Sequence, residues 1–465
     1  MHPALTATAA DEAFTPEGEV RPAYRDVIEA LAGAELDDLA RSVAEGADRE
    51  GIVFRGEVGE ERFRLDPVPR VIERDEWEAL ARGIAQRVRG LNAFLADAYG
   101  ERRIVAAGRV PSRVIDGAVR FEPEACDVAV PGGIHIAVAG LDIVRTATGE
   151  LQVLEDNVRT PSGGAYAEGA RRVVDEAFPG ELPPRIDEPQ LGELLGEALR
   201  ACAPDGRGDP SIVVLSDGPS NSAWWEHCRL AAALGVPVVT GADLETRGGR
   251  VVARPGPDGR ALPVDVVYRR TDEDRLRDER GRPTWLAELL LDPCRRGRLA
   301  CVNAFGTGIA DDKLVHAYVE EMVRFYLGEE PEVRSVPSHD PGEPSAREGI
   351  LERMHDLVVK PRDGSGGDGV VVCAHAREAD RRRAAELIRT QPEHHVAQET
   401  VVFSTHPTVV DGALAPRHID LRPFGFATAE GVGAWPGLTR VAFDEGALVV
   451  NSSQNGGGKA TWVLA

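Results

Sequence analysis

Asp142, Glu155 and Asn157 are the residues whose types and spacing first suggest chemistry. GLDIVR (140–145) is an apolar run with one acid in it. TATGE (146–150) has the composition of a turn, and LQVLEDN (151–157) is a second strand-like run that RTPSG breaks. The simplest reading is a β-hairpin. If Thr146 pairs with Leu151, the register sets Asp142 opposite Glu155. Side chains two apart on a strand share a face, so Asn157 joins Glu155 there. Two carboxylates and an amide oxygen then meet on one patch. Like charges opposed across a sheet are destabilising, and a divalent cation would turn that cost into a binding site. Hard oxygen donors of this kind suit magnesium, which takes one or two carboxylates, keeps water and binds substrate phosphates. The alternative for the same residues is a solvated hairpin edge whose acids serve solubility.

A second candidate is LVVKPRDGSGGDGVVVC (357–373), in which Gly364, Ser365, Gly366, Gly367, Asp368 and Gly369 satisfy G-x-G-x-x-G. A dinucleotide fold needs a helix after that motif, and VVVC reads as a strand. A β-hairpin with a glycine-rich tip fits better. Its backbone N–H groups can close over phosphates, and Lys360, at the end of the incoming strand, brings a point charge. A flexible turn is the alternative. RHIDLRPF supplies Arg417, His418 and Arg422. Arg417 and His418 suit phosphate or acyl-phosphate binding. Arg422 alternates in phase with Asp420, so an internal ion pair is the alternative for it. Arg440 in GLTRVAF, and Ser452 in the small-residue stretch SSQNGGGK (452–459), complete the set. His227 in WWEHC reads as structural or substrate-facing rather than as a metal ligand.

The elements that must position these residues are legible in outline. Residues 26–50 read as one or two amphipathic helices, and 51–72 as two short strands in which Pro67 and Pro69 suggest an edge. Residues 75–99 are the strongest helix. Its Arg82, Gln86, Arg87 and Arg89 are expected to be mostly solvated or in structural ion pairs. Another helix, 164–178, follows the hairpin and can carry Tyr166 and Arg171 toward the site. A proline-rich break at 179–190 marks a boundary. Strand and helix patterns then alternate to residue 330, ending in a helix over 312–328, which argues a small open α/β sheet. Ligands bind such sheets beyond the carboxyl ends of the strands, which points at Ser216–Asn221, Arg269–Arg270 and Asn303–Lys313, with Asn221 and Asn303 as candidate substrate contacts. A loop-rich link (331–350) leads into a mixed α+β remainder. The expected divisions are 1–185, 191–330 and 331–465.

Composition narrows the function classes. The 465-residue chain has Lys+Arg 54 against Asp+Glu 77, a net charge of −23, and 42% apolar residues. So acidic a chain is not expected to hold nucleic acid or an anionic membrane through a general field. No apolar run approaches the ~18 residues of a membrane span, and MHPALTATAADEAF lacks the basic and apolar regions of a signal peptide. Six scattered cysteines without C-x-x-C suggest reduced thiols. A cytoplasmic location is the expectation. The sequence leaves the oligomeric state open.

Glu155-Asp156-Asn157-Val158-Arg159-Thr160-Pro161-Ser162-Gly163 resembles the E-x-N-x-x-P-G segment of ATP-grasp ligases, and Asp142 sits where those enzymes keep a metal-binding aspartate. In ordinary members this hairpin lies near the C-terminal end. Here it precedes the lysine-led glycine loop, an order similar to that of the circularly permuted ATP-grasp family, related to glutathionylspermidine synthetase. GEVRPAY, DPVPRVI, QRVRGLNAFLADAYGE, NSAWWEHCRLA, VDVVYRR, GIADDK, VVKPRDGSGG, RHIDLRPF and VVNSSQNGGG extend the resemblance over nearly the whole chain. It departs at 168–171, Glu-Gly-Ala-Arg where the family has Glu-Asn-Arg, which leaves Glu168 and Arg171 without an assigned role. It departs again at Ala460, where an aspartate is usual.

The resemblance implies a circularly permuted ATP-grasp fold, of mixed α/β and α+β class, with a small open α/β domain. It implies that Asp142, Glu155 and Asn157 hold Mg2+, and that Lys360, Lys313 and the loop Gly364–Gly367 hold the ATP phosphates. Gln398 and Glu399, in HHVAQETVVF, take the place of the hinge that meets adenine through the backbone. Arg159, Ser162, Asn221, Asn303 and Ser452 are then candidate substrate contacts, and Arg417, Arg422 and Arg440 candidate catalytic cations. The implied activity joins a small-molecule or peptide carboxylate to an amine through an acyl phosphate. The same nucleotide clamp could instead serve a kinase, or an ATP-binding scaffold without turnover.

Overall fold

Strands from both ends of the chain meet in one mixed sheet. A computed structural model describes residues 10–56, 59–204, 208–254, 260–364, 369–447 and 456–465. Among these, eight strands form the largest sheet. Its order is Arg334–Ser335, Leu151–Asn157, Val138–Arg145, Ala413–Ala427, Val432–Ala442, Gly456–Val463 and Leu65–Ile72, with Thr405–Val410 also paired to Ala413–Ala427. Pairing is antiparallel except at the two margins, where Arg334–Ser335 and Leu65–Ile72 run parallel to their neighbours. Leu65–Ile72 carries Pro67 and Pro69, which cannot donate to a ladder, and it occupies the edge that those prolines predict.

The hairpin around Asp142 forms, but not with a uniform register. Arg145, rather than Thr146, faces Leu151, and the pairs run in step to Ile143 and Val153. A bulge then absorbs Leu154, so Asp142 opposes Glu155 and Gly140 opposes Asn157, as the sequence predicted for that half. The extra residue inverts the alternation. Val153 and Asp156, three apart, both become buried, while Glu155 and Asn157 remain partly open. The bulge thus turns Glu155 and Asn157 away from the core without moving them off one face.

Both faces of the sheet are covered. Helix Arg74–Ala98 lays Ile84, Val88, Leu91 and Leu95 on one face, against Ala139, Leu141, Ile143 and Leu421. The approach is close at Gly425, where a Cβ would stand 3.1 Å from the Val88 side chain. The polar face of that helix is spent on structure, as expected. Arg82 pairs with Glu332 and Arg89 with Glu329, Gln86 bonds Glu329 and Glu330, and Arg87 reaches inward to Asp156. Helix Gly164–Ala177 covers the other face, over Phe424, Leu438 and Trp462, and is itself backed by Leu36–Glu50.

The predicted open α/β sheet is present. Its order is Ala300–Val302, Val266–Arg270, Ile212–Ser216 and Val238–Val239, all parallel. Helices Leu191–Ala201, Trp224–Leu234 and Trp285–Arg295 accompany it. The helix predicted over 312–328 is instead broken into Lys313–His316, Val319–Met322 and a π-helical turn Val323–Leu327. Near the C-terminal side, Ser338–His339, His395–Glu399, Leu357–Pro361 and Val371–Val372 make an antiparallel sheet whose core, with helices Pro344–Glu352 and Glu378–Thr390, includes Ile350, Val359, Ala384 and Ala397. Leu357–Pro361 and Val371–Val372 are the two arms of the glycine-tipped hairpin read from the sequence. Among the described residues, no helix is long and apolar enough to cross a membrane.

Candidate functional site

A cleft of about 460 Å³ opens where these three sheets approach one another. Asp142, Glu155 and Asn157 line it from the large sheet, Lys360 and Gln398 from the antiparallel sheet, and Asp311, Asp312 and Lys313 from the segment after the parallel sheet. Arg159, Ser162, Glu399, Gly364, Arg422 and Arg440 also reach it. Most of the sequence candidates within the described residues therefore share one cavity. Ser365, Gly366, Gly367 and Ser452 lie outside the described residues.

The opposed acids are neutralised by protein cations. Arg422 holds Asp142 with both prongs, at 2.7 and 2.9 Å, and Arg440 adds a contact at 2.8 Å while also pairing with Asp420. Burial pushes the Asp142 carboxyl up, but Arg422 and Arg440 outweigh it and hold it well below the usual carboxylate range. For Asp420 burial wins, and its carboxyl is raised despite Arg440. Arg422 is thus paired with Asp142 on the neighbouring strand, not with Asp420. Asp420 stands directly across from Arg440 in the ladder, so the partner expected for Arg422 is taken.

Glu155 binds the Lys313 ammonium at 2.5 Å, and Lys313 also donates to the Gly364 carbonyl at 2.6 Å. Lys313 is delivered rigidly. Its backbone N–H donates to the Arg362 carbonyl, the Asp312 side chain caps the turn that begins there, and Arg362 pairs with Asp312 at 2.7 Å. Lys360 donates to Gln398 Oε1 at 2.6 Å, and the Gln398 amide is fixed by the Leu154 carbonyl and Ser338 Oγ. Burial pushes the Lys360 ammonium down to about 8, with Glu155 opposing and Lys313 reinforcing that shift. Glu399 is held by His339 and Arg353, each at 2.7 Å, and its backbone N–H is taken by the Pro337 carbonyl.

Whether the hairpin suits a divalent cation depends on its donors. Among the described residues, no three His, Cys, Asp or Glu side chains converge as a metal cluster. The donor set is instead two carboxylates and the Asn157 amide, whose buried nitrogen has no hydrogen-bond partner. That set matches the sparse protein ligation magnesium accepts when phosphates complete its shell. The donor types therefore suit the ion, with Asp142 here held by Arg422 and Arg440 and Glu155 by Lys313.

Several candidates are placed elsewhere or already spent. Asn303 is internal: its oxygen accepts from the Ala137 and Val138 N–H groups, and its nitrogen donates to the Val138 and Val158 carbonyls, so it clasps the open end of the hairpin rather than a substrate. Asn221 is buried and ties Asp217 to Asp272 while its oxygen takes the Ala223 N–H. Arg417 bonds the Phe443 and Pro416 carbonyls and lies away from the cleft. Ser162 lines the cleft, but its hydroxyl is given to Glu226 at 2.6 Å. Arg159 forms ion pairs with Asp274 and Asp311. His227 bonds Ser216 inside the α/β unit and is buried, the structural one of its two readings. Arg171 pairs with Glu188 and sits over the Trp435 ring.

Other members of the site gave no signal in the sequence. Glu226 collects Ser162 Oγ, the Gly163 and Ala165 N–H groups, and Arg270. Arg120, beside Gly308, pairs with Asp274 at 2.5 Å and lines the cleft with Arg159. Glu226 lies within the quoted NSAWWEHCRLA stretch and Arg120 just before Glu122 and Glu124, but their partners are distant in sequence and only the fold brings them together.

Comparison with known proteins gives a consistent result. Residues 69–442 match the model of the family described as circularly permuted ATP-grasp type 2. An uncharacterized protein of Mycobacterium leprae is 40% identical over 98% of this chain and 82% of its own length, and an uncharacterized protein of a Synechocystis species is 38% identical over 98% and 96%. A protein provisionally named glutamate–cysteine ligase 2-3, from Frankia alni, is 44% identical over 97% of this chain, which spans about half (53%) of that relative. Among solved structures, a glutathione synthetase-like effector from Globodera pallida matches with a TM-score of 0.54 and 14% identity, covering 93% of this chain and 98% of that one; at that identity the likeness concerns the fold.

Proposed function

The chain belongs to the circularly permuted ATP-grasp family, and from that premise we propose that it is an ATP- and Mg2+-dependent ligase that joins a carboxylic acid to an amine. One observation carries this reading. Two carboxylates and an amide on one hairpin face share a cleft with two lysines drawn from separate segments of the chain.

Asp142, Glu155 and Asn157 would hold Mg2+, which would supply positive charge against the phosphates of ATP during phosphoryl transfer. Lys313 would exchange Glu155 for phosphate oxygens, and Lys360 would exchange Gln398, each as a point charge. The strand His395–Glu399 and the apolar wall of Val358, Val372 and Val401 would receive the base. Arg422 and Arg440, over the cleft floor, would balance charge on the acid. A carboxylate oxygen of the acid attacks the γ-phosphorus and the bond to ADP breaks. The amine nitrogen then attacks the acyl carbon, phosphate leaves with the bonding pair, and the nitrogen loses a proton. Arginine donors beside the carbonyl steady the oxyanion between these events. No side-chain nucleophile is required. The name of the Frankia relative fits this class.

Hydroxylamine trapping tests the proposal. The protein, ATP, Mg2+ and a pool of acids should yield ADP and a hydroxamate, and both should fall at least about 100-fold in Asp142→Asn and Glu155→Gln, the scale of loss for displaced metal ligands and their supports. ADP without hydroxamate, but with a stable phosphorylated product, would replace the ligase reading with a kinase one.

A further inference from the structure

The cleft continues past Arg422 into an apolar end that neither the nucleotide nor the metal accounts for. The contacts run without a gap. Arg422 donates to the Ser162 carbonyl, and a Cβ on Gly163 would lie 3.7 Å from both the Arg422 and Leu438 side chains. Phe63 continues the wall, since a Cβ on Gly458 would meet both Phe63 and Leu438. Phe63 packs on Tyr166 with ring centroids 4.8 Å apart, and Phe54 completes the surface. Tyr166 is held in place: its hydroxyl donates to the Val53 carbonyl, and its ring rests on Trp225 at 5.0 Å. The phenol therefore offers its ring, not its oxygen, to the cleft. Phe54 is half-buried, and the Arg55 N–H is fixed to the Ser222 carbonyl, which brings the strand Val53–Gly56 to the cleft wall.

We propose that this end receives the body of the acid substrate, and that the acid is apolar or aromatic next to its reacting carboxylate. The inference rests on the ligase reading and specifies its substrate class. A carboxylate held near Arg422 and Arg440 projects its next carbons toward Leu438, Phe63, Tyr166 and Phe54. Among the described residues, Leu438, Phe63, Tyr166 and Phe54 put no carboxylate on that stretch of wall to pair with an ammonium side chain, and Asp142 and Asp420, which also line the cleft, are already paired with arginines. Arg55, exposed at the rim and without an ion-pair partner among the described residues, opposes one by like charge. A glutamate or glycine body would leave the aromatic wall unfilled. A phenyl or branched alkyl body would itself leave water against that wall, whose Phe63, Tyr166 and Leu438 are already buried, and burial of the body is worth roughly ten- to hundredfold in affinity.

The test uses the full chain with ATP, Mg2+ and hydroxylamine against phenylalanine, leucine, 3-phenylpropionate, glutamate, glycine and lysine. kcat/KM for hydroxamate formation should be at least about tenfold higher for the apolar acids. Phe54→Asp, checked for an unchanged fold by circular dichroism because residue 54 stands opposite Glu61, should erase most of that margin, whereas Phe54→Leu should keep it. Quenching of Trp225 fluorescence, assigned by Trp225→Phe, reads acid binding without turnover. Preferred binding of apolar acids with no ADP or hydroxamate would sink the ligase reading and leave this site standing. Turnover led by glutamate, glycine or lysine, or a ranking that Phe54→Asp does not move, would overturn the inference and leave the ligase intact. Absence of binding by any of the acids would overturn it as well.

Discussion

Arg440 is shared by Asp142 and Asp420, two buried carboxylates on neighbouring strands, and is the cation that contacts both. Arg440→Ala would leave Asp420 without its cation and Asp142 with Arg422 alone. Removing one partner of a buried pair costs about 3–5 kcal/mol, and urea unfolding at neutral pH should show a loss of that size. Arg422→Ala, whose side chain is more open and whose carboxylate keeps Arg440, should cost less than half as much. Equal losses would mean that the two arginines are not ranked by burial. The pH dependence follows from the depressed Asp142 carboxyl. Its contribution is present above the unfolded carboxylate value and is lost as pH falls through the lower folded one, so Arg422→Ala should unfold at a higher pH in acid than the parent.

Lys360 should set the alkaline limit of nucleotide binding. Burial pushes its ammonium down to about 8, and a phosphate is attracted only to the protonated form. ATP affinity of the ligand-free protein, measured by calorimetry, should therefore fall as pH rises through about 8. Lys360→Arg should hold affinity across that range, because guanidinium stays charged. Stability moves the other way. The unfolded lysine keeps its proton to about 10.4, so between the two values the unfolded state binds more protons, and this residue's contribution to stability rises with pH. An ATP affinity that is flat to about pH 9.5 in the parent would rule out Lys360 as the phosphate contact.

Asn303 should prove structural and yet act on the hairpin that carries Asp142, Glu155 and Asn157. Its amide joins the start of one hairpin strand to the segment just past the end of the other, through Val138 and Val158. Asn303→Ala leaves buried backbone groups unpaired at roughly 1–3 kcal/mol each, and a loss of about 3 kcal/mol or more is expected in thermal or urea unfolding. Asn303→Asp keeps the acceptor for Ala137 and Val138 but sets a second oxygen against two carbonyls, so it should lose about as much. Mg2+-dependent ATP binding should weaken in Asn303→Asp at temperatures where the protein remains folded. Unchanged stability in both variants would remove Asn303 from this role.

What the sequence allowed to be read follows from how local each feature is. The face shared by Asp142, Glu155 and Asn157 was legible because strand alternation is local. The compensating pair of errors, one residue at the turn and one at Leu154, was not, because a bulge in a run of ordinary residues leaves no mark. The glycine-tipped hairpin, the open parallel sheet and the edge strand with its two prolines were legible from turn chemistry and periodicity. For Arg422 the ion pair kept as the alternative forms, but with Asp142 rather than Asp420, because choosing between them requires knowing which strands are neighbours across 280 residues. Asn303 and Asn221 stand near the carboxyl ends of parallel strands, where ligands often bind, but there they hold loops and hairpin arms. A sequence does not show whether a polar side chain at such a place faces the cavity or the backbone beside it.

Glu226 tests whether the 161–163 loop is positioned from the α/β unit. It lies on helix Trp224–Leu234, is buried, and accepts from Ser162, Gly163 and Ala165 at the start of helix Gly164–Ala177, where a negative charge also meets the helix N-terminus favourably. Arg270 pairs with it and donates to the Pro161 carbonyl. The Ser162 carbonyl in turn receives Arg422. Glu226→Gln preserves an oxygen for the two backbone N–H groups but leaves Arg270 without a countercharge. It should cost about 2–4 kcal/mol of stability, within the range for buried charges that lose a partner. Because Arg422 keeps its hold on Asp142, the variant should still bind Mg2+-ATP, while KM for the acid rises more than kcat falls. Ser162→Ala removes one bond to Glu226 and should do the same to a smaller degree, with less than additive loss in the double variant. Strict additivity, or a defect confined to ATP binding, would show that Glu226 does not act through the 161–163 loop.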